Sequence, residues 1–131
     1  MKTGELGRYY ADGEVVVRQG DAGECMFEIL SGKVEVVQEK EGNTYRLAVL
    51  EKGDFFGEMA IFEKEVRSAT VRALGEVRAL TVDKKMLLRR ISEDPSLAFR
   101  MVERMSHRIR ELDSEVVRLK KERAGRSISM K

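Results

Sequence analysis

Glycine divides residues 8–82 into short apolar runs, and this punctuation constrains the possible folds more than any other feature. Eight of the 11 glycines fall in this segment, and several intervals between them are near the roughly 8–12 residues that separate turns in sandwiches and barrels. In the run from Lys33 to Gln38, charged residues alternate with valine, as in a strand with one face on a core and the other in water. The pattern predicts a mainly β fold, an antiparallel β-roll of the double-stranded β-helix or jelly-roll type.

Six of these runs are candidate strands. They are Glu14 to Arg18, Cys25 to Ser31, Lys33 to Gln38, Tyr45 to Leu50, Ala69 to Leu74 and Val77 to Val82. The segment Glu41-Gly42-Asn43 lies between the third and fourth runs and has the composition of a hairpin turn. The sequence therefore predicts a hairpin at this point.

Beyond the last candidate strand, the spacing of apolar residues changes from a period of two to a period of about 3.6, which predicts helices. Asp83 is placed to cap a short helix, Lys84 to Ile91, by accepting hydrogen bonds from its first backbone N–H groups. Asp94 and Pro95 mark the start of a second helix, because the first helical position does not need the N–H that proline lacks. This helix is expected to continue to about Glu122.

The second helix carries an apolar seam whose members are alternately three and four residues apart, the spacing of a heptad repeat. The seam consists of Val102, Met105, Ile109, Leu112, Val116 and Leu119. Such a narrow stripe favours a helix packed on its own copy, which predicts a homodimer through residues 95–120. The alternative is a helix whose stripe lies across the β-roll of its own chain. The expected organisation is a β-roll domain over residues 1–94, its long helix over 95–123 and a flexible tail over 124–131.

Several classes of protein are excluded by what the chain lacks. No apolar run approaches the roughly 20 residues of a membrane-spanning helix, and residues 1–6 lack the apolar stretch of a secretory signal, so a cytoplasmic location is expected. The single Cys25 and the single His107 cannot supply an internal disulfide or the several ligands of a metal site. No catalytic or metal-ligating residue is predicted, and an enzyme of this shape is the least favoured hypothesis.

Charge is unevenly distributed along the chain, although the net charge is only +2. Residues 1–99 hold 15 basic and 18 acidic side chains, and residues 100–131 hold 10 basic and 5 acidic ones, which gives −3 and +5. A basic tail attracts nucleic acid, but a charged exposed helix is more often a solvated face. Direct binding to DNA or to a membrane is therefore not expected.

Residues 53–73 contain the pattern that points to a ligand. A short helix that begins just after Gly57 interrupts the strands, and its first N–H groups have no acceptor within the helix. These groups and the helix dipole favour an anion, and glycine lets a ligand approach the backbone closely. Arg67 can bring a guanidinium to the same anion, and Ser68 adds an N–H and a hydroxyl. The Glu58 carboxylate is suited to accept hydrogen bonds from sugar hydroxyls.

At these residues the sequence resembles the cyclic nucleotide-binding domain family. The family's phosphate-binding cassette is similar to Phe56-Gly57-Glu58-Met59-Ala60 followed by Arg67-Ser68-Ala69-Thr70. Two further family signatures match residues 13–21 and 27–34, and the resemblance spans roughly residues 9–112. The winged helix of the bacterial transcription factors in this family is missing, so a complete regulator of that type is not expected.

The resemblance implies a regulatory module that binds a 3′,5′-cyclic nucleotide and couples binding to movement of its C-terminal helix. It implies that Arg67 and Ser68 hold the cyclic phosphate and that Glu58 binds the ribose 2′-hydroxyl. The other positions that it assigns to the ligand site are Phe56, Gly57, Met59, Ala60, Val36, Leu47 and Arg108. The first four belong to the cassette, the next two line the pocket, and the last lies beside the base. Serine at position 68 favours cAMP over cGMP, and no further cofactor is implied.

A ligand-less module of the same fold is the alternative. In that case Arg67 forms only a surface ion pair with Glu63 or Glu65, and Glu58 merely suits the first turn of a helix. The chain is then a dimerisation module whose basic C-terminal helix docks on a partner protein or on nucleic acid.

Overall fold

A computed structural model of the chain describes residues 7–63 and 66–129, with side chains up to residue 125. The strands are β1 (Arg8–Tyr10), β2 (Val15–Val17), β3 (Met26–Lys40), β4 (Asn43–Glu51), β5 (Phe55–Phe56) and β6 (Thr70–Val82). The helices are α1 (Met59–Glu63), α2 (Lys84–Glu93) and α3 (Ser96–Ser129). The chain divides into two compact units within α2. The first unit ends at Leu87, and the second begins at Leu88.

The six strands form one sheet in which every pairing is antiparallel. The main strand order is β1-β6-β3-β4, while β2 pairs with β6 and β5 pairs with β3. Strands β1 and β4 end this order, so the sheet formed by the described residues is not closed. The predicted antiparallel β architecture with C-terminal helices is confirmed.

Two long strands pass through glycines that the sequence suggested as breaks. Strand β3 continues through Gly32, where its register with β6 shifts between Ile29 and Lys33, and β6 continues through Gly75. Gly32 has a φ of +86°, and a Cβ there would lie 2.2 Å from the Glu76 carbonyl oxygen. The glycine therefore permits an irregularity inside the ladder and does not end the strand. The prediction that one strand ends and another begins at each of these two glycines is wrong. The short strands β1 and β5 were not predicted.

The predicted hairpin between β3 and β4 is confirmed. Lys40 pairs with Asn43, and the two residues between them, Glu41 and Gly42, have φ values of 54° and 80°. Positive φ at both positions is the conformation of a type I′ turn, which matches the twist of the flanking strands.

The hydrophobic core lies on one face of the sheet and is composed mostly of aliphatic side chains. Val34, Ile29 and Val77 are exposed by 1% or less. The buried cluster contains Tyr10, Phe27, Ile29, Val34, Leu50, Phe56, Val71, Ala73, Val77 and Ala79, and Val16, Val17, Val36 and Ala48 pack at its margin. Alternation along β3 and β6 therefore sets which side chains enter the core.

Both predicted helix caps are present. The Asp83 carboxylate accepts a hydrogen bond from the Met86 N–H at 2.7 Å, and the Asp94 carboxylate accepts one from the Ser96 N–H at 3.2 Å. Helix α3 continues to Ser129, whereas the sequence predicted its end near Glu122 and a flexible tail after Arg123. A single glycine, Gly125, costs a helix only about 1 kcal/mol, which does not stop it. The last two residues of the predicted tail lie outside the described residues.

No helix in the described part of the chain is long and apolar enough to span a membrane. The same residues contain no group of three or more His, Cys, Asp and Glu side chains that could hold a metal ion.

Candidate functional site

The site begins at the turn between β5 and α1. Gly57 has a φ of +78°, which glycine adopts without steric cost. Its carbonyl accepts a hydrogen bond from the Ala60 N–H at 3.2 Å, and the Glu58 carbonyl accepts one from the Ile61 N–H at 3.0 Å. The helix itself supplies no acceptor for the N–H of Met59, its first residue. This turn therefore presents backbone donors at the start of α1.

Two stacked phenylalanines anchor the residue that precedes Gly57. Phe56 pairs with Phe27 across β5 and β3, and their ring centroids are 5.1 Å apart at an interplanar angle of 12°. Both side chains are buried. The start of the turn is thus fixed to the core of the first unit.

Arg67 reaches back to this turn. Its Nη1 donates to the Gly57 carbonyl at 3.1 Å, and its Nη2 donates to the Cys25 carbonyl at 2.7 Å. The guanidinium carbon lies 5.8 Å from the centroid of the Phe27 ring, within cation–π range. The spacing in the sequence predicted that Arg67 lies near the start of α1, and the structure places it there.

The charge of Arg67 has no acidic partner within the described residues. The side chain is half-buried, and this burial lowers the pKa of its guanidinium, which nevertheless stays protonated. No ion pair joins it to Glu63, the partner offered by the alternative hypothesis, and Glu65 lies outside the described residues. Two of the five guanidinium N–H groups are used by carbonyls, so donors and a full positive charge remain for an anion.

Backbone pairing holds Arg67 in place along the chain. The Arg67 N–H donates to the Asp21 carbonyl at 2.7 Å, and the Arg67 carbonyl accepts from the Gly20 N–H at 2.9 Å. A bridge between Ala22 and Val66 continues the same antiparallel contact. The loop between β2 and β3 therefore forms one wall beside Arg67.

Two glutamines, which the sequence analysis did not single out, tether the residues that follow Arg67. The Gln38 side chain donates to the Ser68 carbonyl at 3.1 Å. The Gln19 side chain exchanges two hydrogen bonds with the backbone of Glu39, at 2.9 and 2.8 Å. The backbone N–H of Gln19 donates to the Thr70 hydroxyl at 2.9 Å. The end of β3 thus fixes Ser68, whose side chain is exposed.

The remaining predicted site residues have different environments. Val36 is half-buried at the margin of the core, opposite Ala48 on β4. Leu47 is the extra residue of a β-bulge and is 56% exposed. Arg108 lies on α3 in the second unit. Within the cassette, Ala60 is buried and Met59 is exposed. The role of each of these residues in ligand binding stays a prediction.

A second arginine cluster lies on the opposite face of the sheet from the core. Glu35 on β3 accepts hydrogen bonds from Arg46 on β4, at 3.1 and 3.0 Å, and from Arg72 on β6, at 3.0 Å. These contacts, with the Arg46 hydrogen bond first, hold the pKa of Glu35 below its usual value. We call Glu35, Arg46 and Arg72 the sheet triad. The two positive charges of the sheet triad share one carboxylate, whereas the charge of Arg67 has no carboxylate partner within the described residues.

Comparison with known proteins gives consistent relatives. The family model of the cyclic nucleotide-binding domain matches residues 7–94. The cAMP-dependent protein kinase regulatory subunit of Blastocladiella emersonii is 41% identical over 81 residues, covering 61% of this chain and 20% of the relative. The cGMP-dependent protein kinase egl-4 of Caenorhabditis elegans is 39% identical over 113 residues, covering 82% of this chain and 14% of the relative.

A solved structure shares both fold and sequence. The crystal structure of the Thermus thermophilus catabolite activator protein is 31% identical with a TM-score of 0.75, and the match covers 86% of this chain and 53% of that protein. The chain therefore spans a fifth or less of the two kinase relatives and about half of the activator.

Proposed function

Since the chain belongs to the cyclic nucleotide-binding domain family, we propose that it is a sensor that binds a 3′,5′-cyclic nucleotide without converting it. The observation that carries this proposal is the position of Arg67. Its guanidinium lies beside the start of α1, is held by the carbonyls of Gly57 and Cys25, and has no carboxylate partner in the described ranges. A half-buried cation without a counter-ion favours an anionic ligand.

In this proposal the phosphate of the ligand contacts three kinds of donor. Arg67 supplies the charge, the backbone at Gly57 and Met59 supplies N–H groups, and Ser68 supplies an N–H and a hydroxyl. Glu58 accepts a hydrogen bond from the ribose 2′-hydroxyl. Phe56 and Ala60 are buried and hold the cassette in shape, which supports a structural role for both.

The remainder of the pocket is assigned by resemblance. We place Val36 and Leu47 at the pocket wall and Arg108 beside the base. Half-burial of Val36 at the edge of the core is consistent with a wall position, and the 56% exposure of Leu47 leaves it accessible to a ligand.

We propose cAMP as the preferred ligand, on the basis of serine at position 68. The relatives include one named for cAMP and one named for cGMP, so they support the cyclic nucleotide class and leave the base to experiment. No other cofactor enters the proposal.

Helix α3 is proposed as the output element. Residues 1–94 then form the ligand-binding part, and residues 95–123 form the helix that responds and joins two copies of the chain. Five seam side chains, Val102, Ile109, Leu112, Val116 and Leu119, are exposed, which supports self-association. Coupling further requires that the ligand bind two arrangements of this helix with unequal affinity.

The partner that receives the signal is proposed to be a downstream protein. The proposed location is the cytoplasm, where a lone thiol such as that of Cys25 stays reduced.

Calorimetric titration tests the ligand. We expect cAMP to bind with a dissociation constant of about 1 μM or less, corresponding to at least about 8 kcal/mol. Adenosine, which carries the same base and sugar without the phosphate, should give no measurable binding. Absence of heat with both cAMP and cGMP contradicts the proposed function and favours the ligand-less dimerisation module.

Sedimentation equilibrium tests the dimer. Val116→Glu places a charge in the seam and should convert a dimer to a monomer. Val117→Glu is the matched control, because Val117 is the same residue type, is 51% exposed and lies outside the seam. A parent chain that sediments as a monomer contradicts the self-association part of the proposal.

A further inference from the structure

Gly23 lies directly against the side chain of Arg67. A Cβ atom at Gly23 would be 2.4 Å from Nε, 2.4 Å from Nη2 and 2.5 Å from Cζ of Arg67. These distances are shorter than any non-bonded contact that a carbon atom tolerates. The absence of a side chain at residue 23 is therefore what makes room for the guanidinium.

The backbone of Gly23 does not itself require glycine. Its φ lies outside the left-handed region, unlike that of Gly20 or Gly57. An alanine at position 23 therefore meets no backbone strain of the left-handed kind, and the three atoms nearest to its Cβ all belong to Arg67. Space for the guanidinium is the physical reason that remains for a glycine here.

Four residues border the half-buried guanidinium. Gly23 borders one flank, and Gly57 borders the other, where a Cβ would lie 2.7 Å from Nη1. The Phe27 ring forms the floor at 5.8 Å, and the carbonyls of Cys25 and Gly57 accept hydrogen bonds. We call Gly23, Cys25, Phe27 and Gly57 the guanidinium cradle. It fixes the direction of Arg67 without neutralising its charge.

We propose that Gly23 is a positioning residue for the phosphate of the ligand, an inference that rests on the proposed function. Gly23 touches Arg67 and acts through it. A methyl group at position 23 pushes the end of a flexible side chain, so the fold adapts, but the guanidinium leaves the Cys25 and Gly57 carbonyls. A displaced guanidinium no longer meets the phosphate beside the first turn of α1.

A double-mutant cycle tests this role. Gly23→Ala should weaken cAMP binding at least about tenfold, because a charge-assisted hydrogen bond is misplaced. In the Arg67→Ala background the same substitution should change the affinity by less than about twofold, since the methyl group then occupies vacated space. Ala22→Ser is the matched control: it adds one heavy atom to the neighbouring exposed residue of the same loop and should leave affinity unchanged.

Thermal unfolding of the same four proteins without nucleotide provides a second readout. Gly23→Ala should lower the unfolding temperature of the parent and should not lower that of Arg67→Ala. Loss of the cradle contact explains both results, whereas a general effect of alanine on the loop would lower both temperatures equally.

The outcomes separate the two proposals. If the parent binds cAMP or cGMP and Gly23→Ala binds it equally well, or if the affinity effects of the two substitutions add, the role of Gly23 is overturned and the proposed function stands. If the parent binds neither nucleotide, the proposed function is overturned together with the positioning role.

Discussion

Two regions of the first unit hold arginine in opposite ways. At the cassette, Arg67 donates to two backbone carbonyls and has no acidic partner within residues 7–63 and 66–125. In the sheet triad, Arg46 and Arg72 both bind the Glu35 carboxylate, at 3.0 and 2.9 Å. Arg46 and Arg72 lie on strands of the sheet, and Arg67 lies just before β6.

The acceptor that a guanidinium binds distinguishes a ligand-binding arginine from a structural one. Carbonyls orient a guanidinium but leave its charge intact, so Arg67 can still attract an anion. A carboxylate both orients and neutralises, so the two arginines of the sheet triad have less to offer a ligand. The sequence shows only that the three residues are arginines, and the partner of each decides its role.

The largest expected contrast compares Arg67→Ala with Arg72→Ala in calorimetric titrations with cAMP. Arg67→Ala removes the only charge proposed for the phosphate and should weaken binding at least about 100-fold. Arg72→Ala removes an arginine of the same unit that is already paired with a carboxylate, and it should leave the affinity for cAMP within about twofold. Equal losses in the two variants would mean that the cassette and the sheet triad do not differ in the way proposed.

A smaller contrast concerns the sugar. Glu58→Gln should weaken cAMP binding by about tenfold, because a charged acceptor for the ribose 2′-hydroxyl becomes neutral. The 2′-deoxy analogue of cAMP should bind parent and variant alike, since it lacks that hydroxyl. If Glu58→Gln lowers the affinity for the analogue as much as the affinity for cAMP, then Glu58 maintains the shape of the cassette and does not bind the ribose hydroxyl.

The sheet triad should reveal itself in stability and not in binding. Glu35→Gln should lower the free energy of unfolding at pH 7 by about 1 kcal/mol, a modest effect because both arginines are partly exposed. The folded state depresses the pKa of Glu35, so its contribution is complete above the pKa that the group has in the unfolded chain. It is then lost as pH falls through the lower folded pKa.

Urea unfolding at a series of pH values measures this. The difference between parent and Glu35→Gln should be greatest near neutral pH and should shrink in acid, while cAMP affinity at pH 7 stays unchanged. A difference that grows on acidification would contradict the assigned direction of the pKa shift.

The smallest expected effect is that of the tether behind the cassette. Gln38→Ala removes the donor to the Ser68 carbonyl and should weaken cAMP binding about threefold, close to the value of one neutral hydrogen bond. Gln38→Met, which keeps the approximate length of the side chain but cannot donate, should behave in the same way. Full affinity in both variants would show that the backbone pairing of Arg67 alone positions Ser68.

The general architecture could be predicted from the sequence because it depends on local patterns. Alternation in β3, the turn residues Glu41 and Gly42, and the caps Asp83 and Asp94 each act over a few positions, and the structure confirms them. Strand continuity through Gly32 could not be predicted in this way. A glycine that permits a shift of register and a glycine that ends a strand have the same local sequence signal, and only pairing with β6 separates them.

The site divides along the same line. Motif spacing brought Arg67 to Gly57, and the structure places the two in contact. The cradle residues Gly23 and Cys25 were missed because they act through a missing side chain and a backbone carbonyl, neither of which carries a residue-type signal.

In the proposed complex the Arg67 guanidinium contacts the phosphate of a cyclic nucleotide. Nuclear magnetic resonance of the arginine Nε–H groups in isotope-labelled protein tests it directly, with the Arg67 signal assigned by its loss in Arg67→Lys. Addition of saturating cAMP should shift the Arg67 resonance and slow its exchange with water, while the Arg72 resonance stays in place. An Arg67 resonance that does not move while cAMP is bound would contradict direct contact between this guanidinium and the phosphate.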